Sequence, residues 1–345
     1  MATPSIVREV NRVNLQASIA LRFGGPGSGC NPAVAEPRCG RPSGNGKEES
    51  QGREFTTPTG TKFTLSNDPT LQDAQLATIR AQEMAKLPQN VQDAFKRGVD
   101  TQGIYSENGK YTPERQAMHE QIVSTFLENH QPQANPKVII VGGGTASGKS
   151  GASADAAKEL NDFVYVNSDN VRAMLPEIGA FVGNDKQGLL HEEAGMIRDM
   201  ILAKASEAHM NMIVDAPGSQ GLVDFADKVQ NRGYGVSYYY VHRDVDSATD
   251  QASKRKYTAT DLSNLRDVPT EVTFGSHMKA RSVVDKLQRG NRDFRVYDNE
   301  MGFNTGKNLV YHRNADGKIV VYNKDRMGAI GNGQDKRLPK IPNFG

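Results

Sequence analysis

The feature that most constrains this chain is a short apolar run that ends in glycines. Residues 138–141 are all β-branched, and the stretch from Gly143 to Ser150 then fits the pattern G-x-x-x-x-G-K-[ST]. A run of this kind is typical of a buried parallel strand. Glycines let the backbone approach phosphate oxygens, and the N-terminus of a following helix attracts anions. The sequence therefore predicts a strand, a phosphate-binding loop and a helix.

The residue types in this loop predict how a nucleotide would be held. Lys149 is expected to reach the β- and γ-phosphates, and the Ser150 hydroxyl is expected to ligate Mg²⁺. The alternative, a glycine-rich turn with an incidental lysine, does not account for the strand before the loop or the helix-forming residues after it. The cofactors predicted are ATP and Mg²⁺. The residues expected to bind them are Gly143, Gly144, Thr145, Ala146, Ser147, Gly148, Lys149, Ser150 and Gly151.

Strand-like and helix-like stretches alternate after the loop. Short apolar runs near residues 163–166, 212–215, 234–241 and 295–298 are separated by stretches with helical spacing. This alternation predicts an α/β fold, a doubly wound parallel sheet with helices on both faces. A β-hairpin is predicted at residues 309–322. Ligands of such sheets bind at the carboxyl ends of the strands.

Composition divides the chain into five predicted segments. Residues 1–23 form a short N-terminal segment with helical spacing, and residues 24–60 are a glycine- and proline-rich linker expected to be disordered. Residues 61–104 are a helical N-terminal region, and residues 105–323 are the domain that contains the phosphate-binding loop. Residues 324–345 are predicted to be a loose basic tail.

Charge and hydropathy argue against several classes of protein. The net charge of +2 gives no reason to expect nucleic acid as a partner. No apolar run has membrane-spanning length, and the first residues keep Arg8, Glu9 and Arg12, unlike a signal peptide. Guanine-specific and dinucleotide-binding motifs are missing from the sequence. We therefore expect a cytoplasmic protein that binds neither membranes nor nucleic acid.

Two aspartates close predicted strands and are candidates for chemistry. Asp169 follows Lys149 by 20 residues (169 − 149 = 20), where a carboxylate can accept the proton of a substrate hydroxyl. The alternative for Asp169 is a helix N-cap. Asp215 closes the third strand and can hold Mg²⁺ through water, the alternative being a solvated strand end. A basic segment, residues 254–269, can supply lid arginines, although such segments are often only solvated helix ends.

An ordered set of motifs resembles the zeta-toxin family of P-loop kinases, the toxin halves of bacterial toxin–antitoxin pairs, whose relatives occur on phage and other mobile elements. The resemblance covers roughly residues 105–300. Pro217 departs from the small hydroxyl residue expected after the third strand. The motifs are Tyr111–Arg115, Gly143–Ser150, Asn167–Arg172, His191–Ala194, Val214–Gly218, Arg266–Pro269 and Tyr297–Asn299.

The resemblance implies ATP-dependent phosphorylation of a sugar hydroxyl of UDP-N-acetylglucosamine, and an antitoxin as a protein partner. It implies that Asp169 is the general base, and that Lys149, Arg255 and Arg266 complete the catalytic set, with Lys254 or Arg243 as alternative lid residues. Two other functions stay open: a phage structural or injected protein that only binds nucleotide, and a P-loop kinase with another small acceptor. The residues implied on the substrate side are Arg172, Glu193 and Asp215.

Overall fold

The computed structural model describes residues 52–289, 292–303, 308–332, 338 and 340. The predicted segment at residues 1–23 lies outside these ranges. The strands are β1 (Arg53–Thr56), β2 (Lys62–Leu65), β3 (Ser106–Glu107), β4 (Lys110–Tyr111), β5 (Lys137–Gly142), β6 (Val164–Asn167), β7 (Met212–Ala216), β8 (Gly235–His242), β9 (Asp293–Asp298), β10 (Leu309–Arg313) and β11 (Ile319–Val321). The α-helices are α1 (Pro69–Ala85), α2 (Gln89–Lys96), α3 (Thr101–Tyr105), α4 (Pro113–Leu127), α5 (Lys149–Ala157), α6 (Ser168–Arg172), α7 (His191–Glu207), α8 (Gln220–Asn231), α9 (Val245–Lys254), α10 (Thr270–Leu287) and α11 (Lys324–Asn332).

A seven-stranded sheet in the order β11-β10-β9-β8-β5-β7-β6 forms the centre of the structure. Strands β6, β7, β5, β8 and β9 are parallel, whereas β10 and β11 add an antiparallel hairpin at one edge. Both the predicted α/β fold and the predicted hairpin are therefore confirmed. No helix within the described ranges is long and apolar enough to cross a bilayer.

The register of the parallel strands gathers the loops that follow them at one edge. Asp215 in β7 lies opposite Val141 in β5 on one side and opposite Asn167 in β6 on the other. Because parallel strands end on the same side of a sheet, the segments after β5 and β6 meet beside Asp215. The sheet thereby brings Lys149, Asp169 and Asp215 to a common edge.

The helical N-terminal region packs on the same core as the kinase-like sheet. Its buried side chains Leu76 and Phe95 belong to one apolar cluster with Val138 and Ile140 of β5. Helix α1 begins with Pro69 in its first turn, and the Asp68 side chain accepts a hydrogen bond from the Thr70 N–H. The burial of these side chains fixes the region against the sheet.

The predicted disordered linker extends too far toward the C-terminus. Residues 53–56 form β1, which pairs antiparallel with β2. Phe55 is buried and stacks on Phe63 with ring centroids 5.4 Å apart. Two aromatic residues at facing positions stabilise a hairpin that the composition of the surrounding stretch conceals. Residues 24–51 of this predicted linker lie outside the described residues.

The predicted loose tail is wrong for its first part. Residues 324–332 form α11, in which Met327 and Ile330 are buried. The Ile330 carbonyl accepts a hydrogen bond from Arg281 Nη2 at 2.8 Å. The stretch begins with three charged residues and contains two glycines, so two core contacts at helical spacing were not evident from composition.

Candidate active site

The phosphate-binding loop has the predicted strand–loop–helix geometry. Strand β5 ends at Gly142 and helix α5 begins at Lys149. Gly148 has a φ of 91°, a left-handed conformation that suits glycine. The Lys149 ammonium turns back over the loop and donates to the carbonyl oxygens of Gly143 at 3.2 Å and Gly144 at 3.1 Å. The loop therefore presents a cation and a helix N-terminus at the same point.

Helix α10 forms one wall of the loop. Ser276 Oγ accepts a hydrogen bond from the Thr145 N–H at 2.7 Å, and His277 Nε2 lies 3.0 Å from the Thr145 carbonyl oxygen. Because a carbonyl can only accept, Nε2 carries the proton. Burial lowers the pKa of His277 to about 4, so the ring is neutral near pH 7. Sequence analysis missed both residues of α10, because no motif marks them.

Gly144 lies directly under this histidine. A Cβ atom at Gly144 would come within 2.1 Å of His277 Cδ2, so any side chain here must displace the ring. We expect Gly144→Ala to weaken nucleotide binding by about 10-fold or more, since overpacking of this kind costs about 1–3 kcal/mol. Isothermal titration with ATP measures the change.

Gly195→Ala is the matched control for this substitution. Gly195 lies within α7 and has no heavy atom within 4 Å of its Cβ position, so its replacement should leave affinity unchanged. Stability should rise by at most about 1 kcal/mol. Equal affinities for Gly144→Ala and the unmodified chain would show that His277 does not constrain the loop.

Two side chains that follow neighbouring strands brace the other side of the loop. Arg243 comes directly after β8, and its Nη1 donates to the Ala146 carbonyl oxygen at 3.1 Å. Asn299 follows β9 and donates from Nδ2 to the Ser147 carbonyl oxygen at 2.8 Å. Arg243 Nε also donates to the Asn299 carbonyl oxygen at 3.0 Å. Arg243, which the sequence offered as an alternative lid residue, therefore contacts the loop itself.

Asp215 is the acidic group that lies against the loop lysine. One carboxylate oxygen is 3.9 Å from Lys149 Nζ, and the other accepts a hydrogen bond from the Tyr165 hydroxyl at 2.9 Å. Asp215 is buried, so this charge is compensated rather than solvated. The burial of Asp215 and its contacts with Lys149 and Tyr165 argue against the alternative that it is a solvated strand end. Ser150 lies in the first turn of α5. Its hydroxyl and the Asp215 carboxylate are hard oxygen ligands of the kind that Mg²⁺ prefers.

Asp169 lies in the first turn of the short helix α6. The N-cap of this helix is Asn167, whose Oδ1 accepts from the Asp169 N–H at 2.7 Å, so the alternative that Asp169 is the N-cap is wrong. Asp169 Oδ1 is 2.6 Å from Arg172 Nη2 and 3.5 Å from Arg266 Nη2. The carboxylate retains 23% exposure, whereas Arg172 is fully buried beneath it.

The two arginines make the surroundings of Asp169 positively charged. Burial, together with the charge of Arg172, lowers the pKa of Arg266 to about 10, which leaves it protonated near pH 7. Two guanidinium groups beside one carboxylate give a local excess of positive charge. This excess favours the approach of an anionic group.

The predicted lid segment is attached to the body of the protein. Lys256 is buried and forms ion pairs with Asp73 of α1 at 3.0 Å and with Asp267 at 2.9 Å. Arg255 is half-buried in the 3₁₀ turn directly after α9. Lys254 is exposed and pairs with Asp250 at 2.7 Å. Of the predicted lid cations, the structure thus places Arg266 against Asp169.

Glu193 is not on a substrate-facing surface, which corrects the expectation from the resemblance. Its carboxylate accepts from Arg115 Nε at 2.6 Å and Nη2 at 2.7 Å, and lies 2.6 Å from His119 Nε2. Arg115 also pairs with Glu177 at 2.8 Å. All four side chains are buried. Burial alone would raise the pKa of Glu193, but the hydrogen bonds from Arg115 and His119 outweigh it and lower the pKa to about 2.

This buried ion network joins three separate elements of the chain. Arg115 and His119 lie on α4, Glu193 on α7, and Glu177 in a 3₁₀ helix that follows α6. The Arg115 guanidinium also lies 4.0 Å from the ring centroid of Tyr105 in α3. The network therefore connects the helical N-terminal region to the helices beside Asp169.

Comparison with family models identifies one match. The model described as Zeta toxin matches residues 123–326, which is more than half of the chain. The matched region includes the phosphate-binding loop, both aspartates and the predicted lid segment. A search of curated protein sequences finds no significant match.

Solved structures share the fold at low sequence identity. The native crystal structure of the AvrRxo1-ORF1:-ORF2 complex matches with 17% identity and a TM-score of 0.50, over 66% of this chain and 80% of that chain. The same complex with sulphate ions gives the same values. The PezAT chromosomal toxin–antitoxin system of the human pathogen Streptococcus pneumoniae matches with 16% identity and a TM-score of 0.44, over 59% of this chain and 82% of that chain.

Proposed function

This chain belongs to the zeta-toxin family of P-loop kinases, and from that premise we propose that it transfers the γ-phosphoryl group of ATP to a sugar hydroxyl of UDP-N-acetylglucosamine. One observation carries the proposal. The segments that follow β5 and β6 place the loop lysine Lys149 and a carboxylate, Asp169, at the carboxyl end of the sheet, and Asp169 is flanked by Arg172 and Arg266. A nucleotide-binding site alone does not require a carboxylate with two arginines beside the loop.

The nucleotide side of the proposed site is formed by the loop. Backbone N–H groups at the start of α5 and the Lys149 ammonium are suited to hold the β- and γ-phosphates. Ser150 and Asp215 are the residues proposed to hold Mg²⁺, which would neutralise phosphate charge when bound. Tyr165 and Lys149 keep the Asp215 carboxylate oriented toward the loop.

Asp169 is the proposed general base. The acceptor hydroxyl oxygen forms a bond to the γ-phosphorus, the bond from that phosphorus to the bridging oxygen of ADP breaks, and the hydroxyl proton passes to Asp169. Arg172 holds the carboxylate from its buried side, so we propose that it positions Asp169, and because it is itself buried it is not proposed as a substrate contact. Arg266 can neutralise negative charge that develops during transfer. Arg255 remains a second proposed lid arginine, whereas buried Glu193 is no longer proposed as a substrate contact.

The direct test is transfer of label from γ-labelled ATP. The purified full chain with Mg-ATP and UDP-N-acetylglucosamine is expected to give a labelled nucleotide sugar, and Lys149→Ala should reduce the initial rate by about 100-fold or more. Lys158→Ala is the matched control, since this lysine of the same region is exposed. Transfer only to another small acceptor would overturn the proposed substrate while retaining the kinase. ATP binding without transfer to any acceptor would favour the nucleotide-binding protein instead.

The proposal also includes an antitoxin and a cytoplasmic site of action. Family membership supports a protein that neutralises the activity, and a kinase of this type needs access to cytoplasmic ATP. Expression of the chain in bacteria is expected to arrest growth, and Lys149→Ala should relieve the arrest if phosphotransfer causes it. Arrest by Lys149→Ala equal to that by the unmodified chain would separate toxicity from kinase activity.

A further inference from the structure

The edge strand of the central sheet carries an exposed apolar patch. Strand β11 is the last of the seven strands, and only β10 pairs with it among the described residues. Of the seven large apolar side chains that are exposed within the described ranges, four are consecutive and are between 38% and 57% exposed. Contiguous apolar surface of this kind marks an interaction site, whereas scattered apolar residues do not. The four residues are Ile319, Val320, Val321 and Tyr322.

The backbone of β11 has one side that is open for pairing. The Tyr322 N–H donates to the Val310 carbonyl oxygen at 2.9 Å, so the polar backbone groups of Tyr322 face β10. Successive residues of an antiparallel strand direct these groups to opposite sides, and Val320 therefore also faces β10. The N–H and C=O groups of Ile319 and Val321 point away from β10, to the side where the described part of the chain supplies no further strand.

Strand β11 lacks the features that usually prevent the addition of another strand. Edge strands in natural proteins are commonly protected by a charge, a proline or a bulge. The sequence of β11 is Ile-Val-Val, and its register with β10 is continuous, so it contains none of the three. Ile319 and Val321 lie on one face of the strand, and Val320 and Tyr322 lie on the other. The edge is therefore suited to an extended segment that is apolar on both faces.

The sequence around β11 is complementary to itself in one antiparallel register. We propose that two copies of this chain pair through β11 about a two-fold axis at Val320, so that the two sheets become continuous. In this register Ile319 lies opposite Val321 of the second copy, and the backbone groups that point away from β10 bond to each other. Lys318 lies opposite Tyr322 of the second copy, where the ammonium can contact the aromatic ring.

The neighbouring registers are less favourable. An axis at Val321 would bring Lys318 opposite Lys324 of the second copy, and like charges at facing positions are destabilising. Lys324 is also the first residue of α11, so strand pairing cannot continue there. An axis at Ile319 would place Val321 opposite Gly317 and would remove apolar contact. Charge and side-chain size thus favour a second copy in the proposed register.

Sedimentation equilibrium of the full-length chain tests the inference without a catalytic readout. An interface built on one short strand is small and its association is weak, so the measurement covers about 5 to about 500 µM protein. The unmodified chain is expected to change from monomer to dimer within this range. Val320→Lys should weaken the dimer by about 10-fold or more, because two like charges then face each other at the axis. The matched control, Val272→Lys at another exposed position, should leave association unchanged.

Disulfide trapping tests the register. In a chain that carries Cys30→Ser and Cys39→Ser, Val320→Cys should give a disulfide-linked dimer, because facing Cα atoms of a non-hydrogen-bonded pair are about 4.5 Å apart. Lys318→Cys is the matched control, since its two copies would be about 13 Å apart along the strands and cannot be bridged. Lys318→Cys/Tyr322→Cys should restore the cross-link, because these two positions face each other across the axis.

Three outcomes would contradict the inference. A monomer over the whole concentration range would overturn it, and so would a dimer that Val320→Lys leaves intact. Cross-linking of Lys318→Cys as efficient as that of Val320→Cys would overturn the register. None of these outcomes depends on phosphotransfer, since β10, β9 and β8 separate β11 from β5, the strand that leads into the phosphate-binding loop.

Discussion

Asp169→Asn is expected to reduce the rate of phosphotransfer by about 10²–10⁴-fold, the range for loss of a general base. Asparagine keeps the size of the side chain and can still accept from Arg172 Nη2, which lies 2.6 Å from the carboxylate. It cannot accept the proton of a hydroxyl at neutral pH. Because Asp169 follows β6 rather than the loop, ATP affinity should change by no more than about 2-fold, within the scatter of small electrostatic effects. Single-turnover kinetics and isothermal titration separate the two quantities.

Two further variants make this result decisive. Asp199→Asn removes a carboxylate on α7 that is 64% exposed and should leave the transfer rate unchanged. Lys149→Ala should lose ATP affinity together with turnover, since its ammonium lies at the loop. If Asp169→Asn retains the full rate, or loses ATP affinity as Lys149→Ala does, Asp169 is not the base and the proposed mechanism fails.

Glu193→Ala is expected to lower the free energy of unfolding by about 3–5 kcal/mol, the cost of leaving a buried charge without its partner. The variant removes both hydrogen bonds that the carboxylate accepts from Arg115 and the contact with His119. Glu177 remains, but one carboxylate then faces a buried guanidinium and a buried imidazole. Urea unfolding measures the change. Glu192→Ala, at the exposed neighbouring position, should change stability by less than about 0.5 kcal/mol.

The same network predicts how stability depends on pH. Because the pKa of Glu193 is lowered to about 2 from 4.5, its folded form binds a proton less readily than its unfolded form. The stabilisation is therefore complete above about pH 4.5 and is lost as the pH falls toward 2. In Glu193→Gln the loss of stability that Glu193 causes between about pH 4.5 and pH 2 should disappear. An unchanged pH profile between pH 2 and pH 4.5 would show that Glu193 is not the group responsible.

Helix starts can be predicted from local sequence patterns, whereas some short elements cannot. Helices α1 and α4 begin at signals that are visible in the sequence, a capping residue followed by proline: Asp68 with Pro69, and Thr112 with Pro113. These signals succeed because a cap acts within three residues of itself. Strand β1 was missed because the glycine- and proline-rich composition does not indicate the local hairpin in which Phe55 stacks on Phe63. Helix α11 was missed because Met327 and Ile330 are buried only by a core formed from distant parts of the chain.

The catalytic assignments remain predictions, but the structure shows which side chains surround the residues concerned. Asp169 and Arg266 were named from the sequence, and 97 residues separate them in the chain (266 − 169 = 97). Asn299 and His277 contact the loop although they lie more than 130 residues from it. No spacing rule could place either side chain there. A family motif could suggest Glu193 as a substrate contact, yet only packing shows that Arg115 encloses it.

The sequence alone determined the phosphate-binding loop, the alternation of strands and helices, and hence the edge at which a ligand would bind. These features depend on short-range spacing, turn residues and helix caps, which act between neighbours in the chain. Tertiary structure alone decided that α10 walls the loop, that Glu193 is buried with Arg115, and that α11 is part of the core. Burial and charge pairing depend on which distant segments meet, and many sequences with the same local pattern bring different segments together.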